Sequence, residues 1–266
     1  MDSLLAIIHP LYLLSGFAVG LLVGQTGVGG GALMTPILVL LFGVHPATAV
    51  GTDLLFAAAT KSVGALVHGR YGTVDWRITA RLAAGSVPAT LLTMVLLSHF
   101  ALLDSGGARL FTIALGVTLM LTGLALLARN RIRAMTGGWS DGLAASRATA
   151  LTVLAGAVLG ALVSLSSVGA GAIGMTMLIL LYPQRRLASL VGSDIAHAVP
   201  LTLIAGLGHW AVGSVDFGLL ALLLCGSVPG VLLGSISAAR VPEWLLRPIL
   251  AFMLLAVGAR MATSLG

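Results

Sequence analysis

One lysine, one cysteine and eight acidic residues are all that this 266-residue chain contains of those types. Only 8% of it is charged, where a soluble domain carries about 25%. With 58% hydrophobic residues, a water-soluble domain is excluded, because so much apolar surface could not be hidden from water. The expected class is an all-α polytopic membrane protein. The lone Cys225 excludes an internal disulfide and a multi-thiolate metal centre. Six dispersed histidines and the absence of H-E-x-x-H leave no metal site, and neither an intramembrane enzyme nor a cofactor is expected. No basic run precedes the apolar start MDSLLAIIHPLY, so a cleaved signal peptide is not expected. No GK[ST] ending is present, and Gly27-x-Gly29-x-x-Ala32 follows a helix-like run, not a strand, so nucleotide binding is not expected.

What is there is apolar length. Runs near 47–68, 78–98, 108–128, 187–211, 217–238 and 244–263 are each long enough to cross a hydrocarbon core about 30 Å thick. Two further regions, 11–42 and 151–182, are cut by GQTGVGGG (Gly24 to Gly31) and SLSSVGAG (Ser164 to Gly171). Their pieces, about 12 to 15 residues each, are short for straight crossings and read as broken or re-entrant helices. The net charge of +6 lies in arginines between these runs, without aromatic interleaving, so it reads as an orientation signal and no nucleic-acid partner is expected. With each interrupted region counted as a hairpin, eleven of the thirteen arginines fall on the cytoplasmic side, Arg129, Arg131, Arg133 and Arg147 of the central linker among them. Trp76, Trp139, Trp210 and Trp244 lie near span ends, as interface anchors do.

The halves repeat. At an offset of 141 residues Val50 to Asp53 (VGTD) matches Val191 to Asp194 (VGSD), His68 matches His209, and Gly72 to Asp75 (GTVD) matches Gly213 to Asp216 (GSVD). GSVP recurs whole at Gly85 to Pro88 and Gly226 to Pro229. Chance apolar likeness would not reproduce Asp, His and Pro at equal separations. The loop after the first VGTD helix carries arginines and its counterpart does not, so each half is expected to be inserted upside down relative to the other. The expected organisation is a first transmembrane repeat over 1–128, a cytoplasmic linker over 129–147 and a second repeat over 148–266. Each repeat holds a broken or re-entrant helix pair and three transmembrane helices. Such inverted repeats with glycine-interrupted short segments point to a transporter whose site lies mid-membrane where the repeats meet.

The stretch GVGGGALMTPILVLLFGVHPATAVGTDLLFAAATKSVGALVHGRYGTVDWR resembles the TauE/SafE family of membrane transporters, the sulfite or organosulfonate exporter or permease family. The likeness rests on the glycine-rich break, the proline after it, the VGT(D/S) helix, its closing histidine and the G-x-V-D-W loop. It runs through both halves, although the second has SSVGAGAIG for the glycine run and Thr176 where the first has Pro36. The resemblance implies secondary transport of small, often sulfur-containing anions such as sulfite, sulfonates or sulfoacetate, across the cytoplasmic (inner) membrane of a bacterium. A proton gradient is the expected driving force. A passive anion channel, or an unrelated small anion as cargo, is the alternative. The expected partners are a small anionic substrate and the lipid bilayer, with a homodimer left open.

Chemistry has few places to sit. Backbone at Gly27, Gly29, Gly30 and Gly31, and at Gly169 and Gly171, can approach a ligand closely, and a following helix presents free N–H groups to an anion. Thr26, Ser164, Ser166 and Ser167 can add hydroxyl donors; tight helix packing through small residues is the other reading. Lys61, deep in its span, either draws an anionic substrate or pairs with a carboxylate on another helix. Asp53 and Asp194, next to Thr52 and Ser193, suit either a helix-start cap or proton coupling and gating, and the two hydroxyls suit either a cap or a ligand contact. His68 and His209 complement a helix C-terminus or take part in gating, and His197, one turn after Asp194, is a proton relay or a satisfied core histidine.

Overall fold

The computed structural model describes residues 2–26, 31–100, 108–135, 145–169, 171–236 and 243–263, and these form helices and connecting turns only. The first half holds α1 (Asp2–Thr26), α2 (Gly31–Leu40), α3 (Pro46–Arg70), α4 (Trp76–His99) and α5 (Ala108–Met135). The second holds α6 (Ala145–Ser166), α7 (Ala172–Leu181), α8 (Leu187–Ala211), α9 (Phe217–Ile236) and α10 (Glu243–Thr263). Six of them, α3, α4, α5, α6, α8 and α9, are long and apolar enough to cross a membrane. Their outward residues are apolar too: Leu66 of α3 is 70% exposed and Leu92 of α4 60%. That is the pattern of a surface wetted by lipid.

The interrupted regions depart from the sequence expectation in their proportions. Their first arms are long helices of 25 and 22 residues, and only the second arms, α2 and α7, are short at 10 residues each. Apolar content marks the part of a helix that meets lipid, not the length over which its backbone bonds run, so α1 continues upstream of its apolar window through Pro10. A 10-residue helix is about 15 Å long, half the hydrocarbon thickness. The central linker is also narrower than expected, because α5 extends to Met135 and α6 begins at Ala145.

Both helices that carry the repeated VG(T/S)D sequence end the same way. Gly72 and Gly213 adopt φ of +62° and +75°, and the next residues, Thr73 and Ser214, donate their N–H groups back to the carbonyls of His68 and His209 at 3.0 and 2.8 Å. Only glycine enters this left-handed conformation cheaply, so GTVD and GSVD are the same helix stop written twice. The aspartate of each then caps the following helix. Asp75 accepts from the N–H groups of Arg77 and Ile78, and Asp216 from that of Leu219.

Helices pack through glycines that admit backbone contact. A Cβ on Gly85 would strike the Val153 carbonyl and one on Gly156 the Leu82 carbonyl, and Gly160 in turn lies on Ser86, so α4 and α6 run side by side in the same direction. Gly16 against Leu223, Gly20 against Ser227 and Gly226 against Leu13 set α1 beside α9 in the same way. Gly116 and Gly258 lie on each other's carbonyls where α5 crosses α10, and Gly123 meets Ala251, so this pair is antiparallel. At the centre α3 and α8 are antiparallel as well, and two hydrogen bonds fix them. The Asp75 N–H donates to Ser193 Oγ at 2.8 Å, and the Asp216 N–H donates to Thr52 Oγ1 at 3.1 Å. Close approach without intervening side chains is how helices associate where lipid gives no hydrophobic drive.

Candidate functional site

The polar residues of this apolar protein collect where α3 and α8 cross, beside the break between α6 and α7. Asp53, Lys61, Asp194, His197, His209, Ser164, Ser166 and Ser167 are all buried there. Asp53 is the eighth residue of α3 and Asp194 the eighth of α8, and neither caps its own helix. His45 precedes α3, Pro46 opens it, and α8 follows Arg186. The helix-start reading of these carboxylates is therefore replaced by tertiary roles.

Asp53 reaches across to the short helix α2. Its Oδ2 accepts from the Thr35 N–H at 3.2 Å and from the Thr35 hydroxyl at 2.5 Å. The Ser167 hydroxyl faces the same carboxyl group, yet it and Asp53 Oδ1 complete no well-formed hydrogen bond. The matching carboxylate, Asp194, has a different neighbour. Its Oδ1 lies over Gly174 of α7, where any side chain would collide with it, and is unpartnered. Asp53 and Asp194 are both electrostatic neighbours of Lys61. Among the described residues no carboxylate oxygen comes within 4 Å of its ammonium.

The histidines divide. His197 Nε2 shares a hydrogen with Ser86 Oγ of α4 at 2.8 Å, while its Nδ1 has no partner. His209 Nε2 donates to the Ser164 carbonyl at 3.0 Å, its ring edge packs on Phe111, and its Nδ1 is likewise unpartnered. His68 is half-buried at the end of α3 and bonds Thr73 Oγ1 at 2.8 Å, away from the centre.

The break itself is shaped by its own side chains. Ser166 Oγ donates to the Leu162 carbonyl and accepts from the Val168 N–H, tying off the end of α6. Ser164 Oγ donates to the Gly160 carbonyl. Ser167 takes a φ of +59° and Gly169 one of +122°, after which the Ile173 N–H bonds back to the Gly169 carbonyl and α7 begins beyond Gly171. Thr52 and Ser193 spend their hydroxyls on the bonds between α3 and α8, and Ser193 also donates to the Ser189 carbonyl. Of the break hydroxyls named from sequence and described, Ser167 alone is buried without a hydrogen-bond partner. Gly27, Gly29 and Gly30 lie outside the described residues, as does the Thr26 side chain; Gly31 opens α2. Trp76 and Trp210 are exposed at helix ends, and Trp139 and the Trp244 side chain lie outside the described residues.

Sequence reasoning passed over two participants. Thr35 is a lone hydroxyl in an apolar half-helix beside Pro36, and Ser86 sits inside the repeated GSVP; a buried hydroxyl next to a break or within a duplicated motif was the available signal. Among the described residues no three His, Cys, Asp or Glu side chains gather as a metal site would require.

The profile of the family described as "Sulfite exporter TauE/SafE" matches residues 12–261. The chain belongs to the TauE/SafE family. It is 37% identical over 250 residues to the "Probable membrane transporter protein YjnA" of Bacillus subtilis, covering 94% of this chain and 98% of that protein. It is 28% identical over 245 residues to the "Probable membrane transporter protein YdhB" of the same organism, covering 89% and 93%. A "Probable membrane transporter protein MJ0441" of Methanocaldococcus jannaschii is 26% identical over 216 residues, covering 78% and 74%. No solved structure matches. As a TauE/SafE member the chain is a multi-pass membrane transporter, and the matched region takes in the stretches around Gly31, Asp53 and Asp75.

Proposed function

We propose that this TauE/SafE protein is a secondary transporter that moves small, sulfur-containing anions of the sulfite, sulfonate or sulfoacetate type across the cytoplasmic membrane, coupled to a cation gradient, with protons as the first choice. The observation that carries the reading is the pair of bonds from Asp75 to Ser193 and from Asp216 to Thr52. Each joins the loop after one central helix to an early turn of the equivalent helix of the other half. They support reading the two halves as an inverted pair, with matched contacts at opposite ends and the polar centre between them. That is the geometry alternating access requires, since one end can part while the other holds.

The division of labour follows from charge. Lys61 is the one buried basic side chain other than histidine among the described residues and draws the anion inward, and the N-terminal end of α7 adds its dipole. Asp194, on the facing helix α8, offers the ammonium a counter-charge without a direct ion pair. His197, braced by Ser86, and His209, braced by the Ser164 carbonyl, each offer one free ring nitrogen to cargo or to water. His68 belongs to the end of α3, and in the sequence the run from Thr26 through Gly27, Gly29, Gly30 and Gly31 is the first half's counterpart of the second-half break.

The test is uptake and efflux in proteoliposomes of sulfite, thiosulfate, taurine, sulfoacetate and sulfate, with and without an imposed proton gradient. The expected result is saturable movement of at least one anion that the gradient accelerates and Lys61→Ala abolishes. Movement of none of them in either direction removes the substrate class; conduction without saturation replaces the transporter with a channel.

A further inference from the structure

Two buried aspartates and one lysine leave the centre one positive charge short. Lys61 is the cation near both Asp53 and Asp194, and neither forms an ion pair with it within 4 Å among the described residues. Asp53 is thus a carboxyl group without an ion-paired partner, and it is wholly buried. Thr35 satisfies one of its oxygens, Oδ2, with a backbone and a hydroxyl donor. Oδ1 has no partner, nor has the Ser167 hydroxyl that faces the carboxyl group. A buried carboxyl oxygen and a hydroxyl oxygen, neither with a well-formed hydrogen bond, cost free energy unless a proton or cation lies between them.

We propose that Asp53 Oδ1 and Ser167 Oγ, at the α6–α7 break, form the seat of the coupling cation, a proton or a sodium ion. This rests on the transporter reading above and gives it a mechanism. With the seat empty the centre carries a net negative charge and repels an anion; with the seat filled it is neutral and Lys61 is free to turn to the cargo. The cation is therefore bound before or with the anion. A hard monovalent ion suits one carboxylate and hydroxyl oxygens, and the break gives it the carbonyl-rich end of α6, which favours positive charge. If the ion is a proton, it forms an O–H bond at Oδ1 that can donate to Ser167 Oγ.

The groups shown beside the Asp53 carboxyl are few: Thr35 of α2, Ser167 of the break and, through its charge, Lys61 of α3; Asp194 and His197 of α8 act on Lys61 in turn. Asp194 is the control, because it shares Asp53's helix position and lacks its hydroxyl partners.

The experiment uses purified full-length protein in detergent, so that it does not depend on knowing the cargo. Binding of radioactive sodium is measured at fixed pH, and in sodium-free choline buffer infrared spectra record any protonated-carboxyl band across a pH titration. If sodium is the ion, wild-type protein binds it saturably, Asp53→Asn abolishes binding and Ser167→Ala weakens it by about tenfold or more, while Asp194→Asn retains a saturable site. If the proton is the ion, sodium does not bind, and a titrating carboxyl band disappears in Asp53→Asn and shifts in frequency in Ser167→Ala. Should Asp53→Asn fail to fold, Ser167→Ala decides alone, since it removes a single buried oxygen beside the carboxyl group and no well-formed hydrogen bond. Sodium binding or a carboxyl band untouched by both substitutions, or neither signal in the wild type, overturns the proposal. Cation binding as expected in protein that moves no anion in vesicles leaves the seat standing and sinks the transport reading.

Discussion

The two halves of this TauE/SafE protein share a skeleton and differ in the chemistry hung on it. Thr52 and Asp216 on one side answer Ser193 and Asp75 on the other, bond for bond. Within that frame Lys61 stands where the second half has Thr202, and His197 stands where the first has Phe56. The carboxylates are equivalent in position and unequal in company: Asp53 is fastened to Thr35, whereas Asp194 leans on Gly174. Under the transport proposal, matched contacts serve movement between two mirrored states and unmatched ones serve the binding of a single asymmetric ligand.

That comparison can be broken at the skeleton first. Gly85→Val and Gly226→Val push a side chain into a neighbouring helix backbone at equivalent places, so both should cost about 3 kcal/mol, the upper part of the range for overpacking. Thermal unfolding in detergent measures this, and a large inequality between them would show that the halves do not bear load equally. Next comes the chemistry. Asp53→Ala strands a buried N–H and hydroxyl of Thr35 and should destabilise by about 1–3 kcal/mol, more than Asp194→Ala does. Lys61→Ala should stop anion uptake, and combining it with Asp194→Asn should recover stability lost in the single variant, because the double change removes the charge left without its partner; a double-mutant cycle reads the coupling. Thr52→Val and Ser193→Ala each delete one inter-half bond and should cost about 1 kcal/mol apiece. Smallest is Arg185→Ala. Its 3.5 Å ion pair to Asp75 is 58% exposed on the arginine side, so the loss should stay below about 1 kcal/mol and vanish in high salt. Asp216, by contrast, has its capping bond and no ion pair among the described residues, so an effect much larger than this would mean that the Asp75 end is latched and the Asp216 end is not.

Much of the frame was legible before any coordinates. Helix ends at 187 and 211 agree with the apolar run residue for residue, and the duplicated VG(T/S)D and G-x-V-D strings marked the segments that meet at the centre. What could not be read was which members of those strings touch. Thr52, Ser193, Asp75 and Asp216 were all visible, but Thr52 and Asp216 are 164 positions apart and pair only because α3 and α8 run in opposite directions. Asp53 looked like a first-turn residue because VGTD resembles a capping sequence; the helix begins seven residues earlier at Pro46, whose missing N–H makes it a natural opening residue. Thr35 escaped because its partner lies across a turn, where neither helical nor strand periodicity carries information. The arms of the interrupted regions were misjudged for a related reason: hydropathy tracks the solvent, and hydrogen-bonded length does not.

Ser167 holds a left-handed backbone angle that most side chains avoid and that glycine would accept freely. Such a residue costs about 1–2 kcal/mol relative to an ordinary conformation. Replacing it with glycine should therefore yield a sturdier protein that has lost the hydroxyl of the proposed cation seat. A kinked serine where relaxation is one substitution away is what a position that trades toughness for use would show.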